Sequence, residues 1–339
     1  MLKYNQNFTY NMEKSEDGYK NPLNRQLDTA DPCIIFNHRD GYYYGIYTGH
    51  ERLTMHRAKR LRDMFSASES RVIYEPRDED GTYGFLWAPE IHIIDGVWYI
   101  YTSTHEKDTK AHKHLICLRA KSDAPFDGFE FFGHISPEIL AIDPTIYNDK
   151  KNGRLFICAS TVTGGMQKLM IAELSAPATL KSEWQIIAEP TYDWERVHPY
   201  DGKWAPINEG AYFVESGDRL FIVYSGNGCW SDDYVMGIME LVGDDILSPD
   251  SWVKNEVPFM TKGNGNVGPG HATFFKSPDE SELWICHHCL HESDPEWKPM
   301  DRHCHVQKVF FDECGFPHAE TPIAQGEYFK EPSGTEILK

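Results

Sequence analysis

Apolar and polar positions along this chain fall into short alternating runs joined by polar turns, and one paired arrangement of such runs recurs five times. Asp31-Pro32 opens Cys33-Ile34-Ile35-Phe36, a turn from Asn37 to Gly41, and then Tyr42-Tyr43-Tyr44-Gly45-Ile46-Tyr47. Glu90 opens a second pair around Asp95-Gly96, and Asp143-Pro144 a third that turns at Gly153. Glu209-Gly210 opens a fourth around Ser216-Gly217-Asp218, and His271 a fifth that turns through Pro278. Runs rich in β-branched and aromatic residues and bounded by Asn, Asp and Gly predict β-hairpins. The starts lie 90−31 = 59, 143−90 = 53, 209−143 = 66 and 271−209 = 62 residues apart. A β-unit repeated at that period, with no helical segment between copies, predicts a radial array.

The expected fold is therefore all-β, a five-bladed β-propeller. The whole chain, 1–339, is expected to form a single domain with its blades over roughly residues 25–325. Inner strands of a propeller run the same way along the central axis. Residues at equivalent strand starts, here Asp31, Glu90, Asp143, Glu209 and His271, should then meet in one ring at the channel mouth.

Composition narrows the ligand. A formal charge of −19 over 339 residues opposes binding to phosphate backbones or anionic lipid, so neither nucleic acid nor membrane is an expected partner. No run approaches the ~18 apolar residues of a membrane span. The polar start Met1-Leu2-Lys3-Tyr4-Asn5-Gln6-Asn7 carries no apolar leader, and on that ground a cytoplasmic location is expected. Neutral ligands remain.

Most of the 9 Trp, 18 Tyr and 18 Phe are expected to pack between blades. Trp87 and Trp204 differ, because each stands in a Trp-Ala-Pro segment just ahead of an inner strand, where a flat ring can face a sugar. Cys33, Cys117 and Cys158 lie in apolar runs and read as small core residues. The cluster Cys286-His287-His288-Cys289, with His291 and His303-Cys304-His305, suggests zinc only weakly. Strand positions i and i+3 face opposite sides, whereas zinc ligand pairs usually flank a turn.

A ring of carboxylates suits the cleavage of a glycosidic bond. One carboxylic acid protonates the leaving oxygen and a second carboxylate acts from the opposite face of the sugar. If that second group activates water, the two stand ~6.5–9.5 Å apart. A third carboxylate nearby raises the acid's pKa by like-charge repulsion. The bland alternative is that each acid only holds turn amides, and recurrence at equivalent positions argues against it. The reaction needs three carboxylates where the ring offers four, and Glu90 is the one without an assigned role.

Ala30-Asp31-Pro32, Trp87-Ala88-Pro89-Glu90-Ile91, Ile142-Asp143-Pro144-Thr145, Asn208-Glu209-Gly210 and Gly268-Pro269-Gly270-His271-Ala272, in that order and spacing, resemble glycoside hydrolase family 43. These are five-bladed propeller enzymes acting on arabinose- and xylose-containing polysaccharides, and the resemblance covers about residues 25–325. It implies an inverting hydrolase with Asp31 as general base, Glu209 as general acid and Asp143 as the residue that tunes and orients the acid. It places His271 beneath the sugar pocket, close to an axial calcium or sodium ion held largely by water, and Arg302 against the substrate. Trp87, Glu90 and Trp204 are expected to line the sugar site. No organic cofactor is expected. Ala211 stands after Glu209-Gly210 where many members have proline, which bears on subfamily more than on chemistry.

Many β-xylosidases of the family carry a further C-terminal β-sandwich, whereas this sequence ends soon after the fifth repeat. An exo-acting α-L-arabinofuranosidase is thus expected, with a pentose-containing oligosaccharide as its partner. In the cytoplasm that substrate would be an imported arabino- or arabinoxylo-oligosaccharide. The alternatives are a β-xylosidase of the same family or a non-catalytic carbohydrate-binding propeller.

Overall fold

The structure, a computed structural model, describes residues 2–107, 109–197, 206–291 and 301–337. Five antiparallel sheets follow one another along the chain, each built from sequence-adjacent strands. Blade 1 comprises Cys33–Asn37, Tyr42–Ile46, Leu53–Ala58 and Glu69–Tyr74. Blade 2 comprises Trp87–Ile94, Val97–Glu106, Thr109–Ala120 and Phe129–Ile135. Blade 3 is built on Ala141–Asp149, Arg154–Thr163 and Met166–Ala176, with the short Thr179–Leu180 and Gln185–Ala188 both paired to the third strand. Blade 4 comprises Asn208–Ser216, Arg219–Gly226, Val235–Leu241 and Trp252–Lys254. Blade 5 comprises Asn266–Lys276, Leu283–His291, His303–Phe311 and Pro317–His318. This is the expected five-bladed propeller, and every predicted hairpin is the inner pair of strands of one blade.

Five buried apolar clusters occupy the five blade interfaces. Strand alternation shows why. In the second strand of blade 4, Leu220, Ile222 and Tyr224 join a core with blade 3, while Phe221 and Val223 join another with blade 5. A strand buried on both faces carries the near-continuous apolar run seen in the sequence. Cys117 and Cys158 are buried as expected, and Cys33 lies in the core between blades 1 and 2. The N-terminal segment closes the array by lying along blade 5: the amides of Leu23 and Thr29 donate to the carbonyls of Cys304 and Arg302 at 3.0 and 2.8 Å.

Each inner strand has a left-handed residue within it or just before its start: Asp31 (φ 52°), Ala88 (46°), Asp143 (57°), Gly210 (55°) and His271 (52°), with Gly268 (55°) a second one in blade 5. In blades 2 to 5 it sits in a break of the pairing register, between Trp87 and Glu90, Ile142 and Thr145, Glu209 and Tyr212, and Gly270 and Thr273. Such bulges re-aim side chains at the rim of a sheet. The left-handed conformation costs a residue with a Cβ about 1–2 kcal/mol, so it persists only where the surroundings hold it.

Four of these five bulge amides are held by a side chain of the preceding blade. Ala88 N donates to Thr48 Oγ1 (2.9 Å), Gly210 N to Asp143 Oδ2 (3.2 Å) and His271 N to Ser225 Oγ (2.8 Å). Asp31 N donates to His288 Nδ1 of blade 5 at 3.2 Å, which joins last blade to first.

Candidate active site

The bulges bring Asp31, Asp143, Glu209 and His271 together as one buried cluster of interacting groups. His271 Nδ1 lies 3.3 Å from Asp31 Oδ1. Asp143 accepts the Gly210 amide, and a Cβ on Gly210 would stand only 3.0 Å from the His271 ring. Glycine at 210 is thus favoured by its positive φ and by the imidazole against it, although the equivalent positions of the other blades hold that φ with other residues. Glu209 stands one residue before its bulge, and Glu90 two residues after. Two residues move a side chain ~6.6 Å along a strand, so Glu90 sits at the level of Cys33, Thr145 and Thr273 and not at the rim. There the buried Glu90 pairs through Oε2 with Nε2 of the half-buried His92 at 2.7 Å. This accounts for the surplus carboxylate: Glu90 lies deeper in the channel and already has a partner.

Asp31 is the most heavily partnered group. Its Oδ2 accepts from Thr48 Oγ1 at 2.6 Å, and its Oδ1 lies 3.2 Å from Arg302 Nη1. Burial raises its pKa, but Arg302 and His271 together outweigh burial and hold it well below the ordinary carboxylate range. Asp31 is therefore ionised near neutral pH. Arg302, expected against substrate, is itself buried and spends its charge on Asp31.

The other two carboxyls go the opposite way. Burial, with Glu209 and Asp31 adding repulsion and His271 opposing, pushes Asp143 up to about 7. Burial raises Glu209 as well, against the His271 charge and hydrogen bonds from Tyr234 and Gln167. Tyr234 Oη donates to Glu209 Oε1 at 2.9 Å and Gln167 Nε2 to Oε2 at 2.8 Å. Two interacting carboxyls titrate as a pair. His271 is lowered by burial but raised further by Asp31, Asp143 and Glu209, which favours the imidazolium.

A supporting layer fixes these groups. The His288 ring, pushed down to about 4 by burial and so neutral, stacks on Tyr234 at 5.5 Å and 5°. A Cβ on Gly270 would stand 1.9 Å from the Tyr234 ring, so only glycine admits it there. The start of the Glu209 strand is pinned from below by buried Glu195, which accepts from Asn208 Nδ2 and Lys254 Nζ at 2.9 and 2.5 Å.

Trp87 is half-buried at the rim, with the Lys113 ammonium 3.8 Å from its ring centroid. Trp204 lies outside the described residues. Thr48, Gln167 and Tyr234 were not singled out from the sequence. One signal was available: the second run of every repeat ends in hydroxyl or imidazole residues at Thr48, Thr102, Ser160, Ser225 and His288. Gln167 comes from a third strand and Tyr234 from the residue just before one, and neither carries such a mark.

His287, His291, His303 and His305 stack in blade 5 with ring centroids 5.2–5.8 Å apart. Burial holds His287 down to about 3 and His305 well below the ordinary value, so these two rings pack as neutral aromatics. Among the described residues no three His, Cys, Asp or Glu side chains are grouped to hold a metal ion. The zinc signal has no site among the described residues. Calcium takes six to eight oxygen ligands, so an ion beside His271 would draw most of them from water.

A model of glycosyl hydrolases family 43 matches residues 19–317. The chain belongs to this family. Among family 43 structures and relatives, an α-L-arabinofuranosidase from Lactobacillus brevis superimposes with a TM-score of 0.79 at 27% identity, covering 91% of this chain and 98% of that one. An extracellular exo-α-(1→5)-L-arabinofuranosidase of Streptomyces avermitilis is 28% identical over 323 residues, 91% of this chain and 64% of its own length. One of the same name from Streptomyces chartreusis is 29% identical over 282 residues, 79% of this chain and 82% of that one. The chain thus spans about 64% of the length of the first of these curated relatives. Two of the relatives are named extracellular, which points to secretion and overturns the cytoplasmic location expected from the polar N-terminal residues. The opening residues of a sequence say nothing of a leader outside it.

Proposed function

We propose that the chain is an inverting, exo-acting α-L-arabinofuranosidase that releases terminal arabinose from arabinose-containing oligosaccharides or chain ends. The observation that carries this reading is the opposed protonation of carboxyls in one cluster. Asp31 is held ionised by Arg302 and His271, while burial raises Asp143 to about 7 and raises Glu209 as well. Base and acid are thereby present together at one pH, as hydrolysis of a glycosidic bond requires. Relatives named arabinofuranosidases support the choice of sugar. With relatives named extracellular, the restriction to imported oligosaccharides no longer applies, and polymer ends become accessible.

In the mechanism, Asp31 takes a proton from a water aimed at the anomeric carbon. The Thr48 hydroxyl on Oδ2 and Arg302 on Oδ1 fix the carboxylate plane. Glu209 delivers its proton to the departing oxygen, with its two oxygens oriented by Tyr234 and Gln167. Asp143 repels the charge that would form on Glu209 before reaction, and so keeps the acid loaded. His271 sits beside Asp31 as the compensating cation. No step passes through an axial ion.

The test is proton NMR of the first-formed sugar from an α-1,5-arabino-oligosaccharide, with xylobiose alongside. Release of β-arabinose, followed by mutarotation, is expected. Retained configuration would remove the water-activating role of Asp31, and xylose release alone would move the chain to the xylosidases.

A further inference from the structure

We infer that the cleft between blades 2 and 3 is the subsite that holds the leaving sugar, gripped at its rim by Leu140 and Val162. This rests on the hydrolase reading above. The cleft encloses about 460 Å³ and is lined by Trp87, Lys113, Leu140, Thr161, Val162 and Gln167, among others, within the size range of small-ligand sites.

Its placement follows from the acid. The oxygen that Glu209 protonates belongs to the bond being broken, so the leaving group lies within hydrogen-bond reach of Glu209. Tyr234 occupies Oε1, and Gln167, which bonds Oε2, is also a wall of the cleft. Ile142, the residue before Asp143, borders the same space. The cleft therefore opens from the acid's side of the cluster, away from the Asp31 and Arg302 pair on blades 1 and 5.

Its chemistry fits a sugar. Val162 is 70% exposed and Leu140 43%, an unusual exposure for apolar side chains on strand ends facing a cavity. Pentoses present C–H faces to such groups and hydroxyls to polar ones. Thr161 supplies a polar wall, its Oγ1 donating to the Leu140 carbonyl at 2.9 Å, while the buried Ser160 hydroxyl below it donates to the Asn208 carbonyl. Lys113 lies over Trp87 and near Phe85, so the indole forming the opposite wall is held in place. Gln167 is a positioning residue that connects occupancy of this cleft to the orientation of the acid.

The experiment compares the double variant Leu140→Ser, Val162→Ser with the unaltered chain on two substrates. One is α-1,5-arabinotriose, whose leaving sugars would fill the cleft. The other is α-L-arabinofuranosyl fluoride, whose leaving atom fills none of it. The expected result is a fall of roughly tenfold in the ratio of kcat/KM on the triose to that on the fluoride, carried mainly by KM. Both positions are exposed, so the fold tolerates the changes. A ratio within twofold of the unaltered chain's overturns the assignment. An unaltered chain that turns over neither substrate overturns the hydrolase reading, and the cleft assignment with it.

Discussion

Replacing Arg302 by Met should bring an acid limb into view in the pH profile. Asp31 and Arg302 are in contact at 3.2 Å, with side-chain exposures of only 9% and 8%. At an effective dielectric near 20, Coulomb's law gives about 5 kcal/mol for unit charges at that distance. Water entering the vacated space and the remaining His271 charge reduce what is observed, and a carboxylate beside an arginine is typically displaced by about 1–3 pH units. The sign is fixed: losing a cation favours the neutral carboxyl, so the Asp31 pKa rises. In the unaltered chain it lies well below the ordinary Asp value, and kcat/KM should stay level on the acid side until the fold itself fails. In Arg302→Met, kcat/KM for an aryl α-L-arabinofuranoside should fall below a midpoint about 1–3 units higher, and Arg302→Lys should restore most of the flat profile. Leaving Asp31 short of a partner should also cost about 3–5 kcal/mol of stability, so circular dichroism must accompany each point. A folded Met variant with an unmoved acid limb would refute the claim that Arg302 sets the ionisation of the base.

Glu209→Ala should nearly abolish hydrolysis of arabino-oligosaccharides while sparing an aryl substrate whose leaving group needs little protonation; equal losses in kcat on both would take the acid role away. Tyr234→Phe removes a hydrogen bond to Glu209 that favours its ionised form. The acid's pKa should rise by roughly 1–2 units, moving the alkaline limb of kcat/KM to higher pH, and an unmoved or lowered limb would contradict this. Gly210→Ala places a Cβ 3.0 Å from the His271 ring at φ 55° and should lower both melting temperature and kcat. Gly153→Ala, at φ 63° with nothing within 4 Å, isolates the backbone strain and should leave kcat alone.

The propeller was readable because its information is local and repeated: an apolar run, a turn and a second run, five times over. The convergence of Asp31, Asp143 and His271 followed from that symmetry. What the repeat could not show was a bulge one or two residues long. Aligning the repeats on their acids put Glu90 and Glu209 in register with Asp31, whereas aligning them on the left-handed residue puts Ala88 and Gly210 there. A shift of that size leaves composition unchanged, yet it separates a rim carboxyl from one paired to His92 down the channel. Arg302 was placed by resemblance alone, and its distance from Asp31 in sequence hid their contact. Gln167 lies on a third strand and Tyr234 just ahead of one, where periodicity marks a residue merely as blade packing.

The bulge amides held by neighbouring blades give the ring a further property. Asp143 and the amide of Asp31 are each one half of a junction between blades, so the machinery that would cut the sugar also fastens the wheel. A blade that swings away from its neighbour surrenders a proton-handling group at the same moment, and the seam between Asp31 and His288, where the two ends of the chain meet, disarms the base first. Enzymatic turnover would then be a sensitive gauge of whether the circle is shut, failing under denaturant before the bulk of the strands lose their pairing.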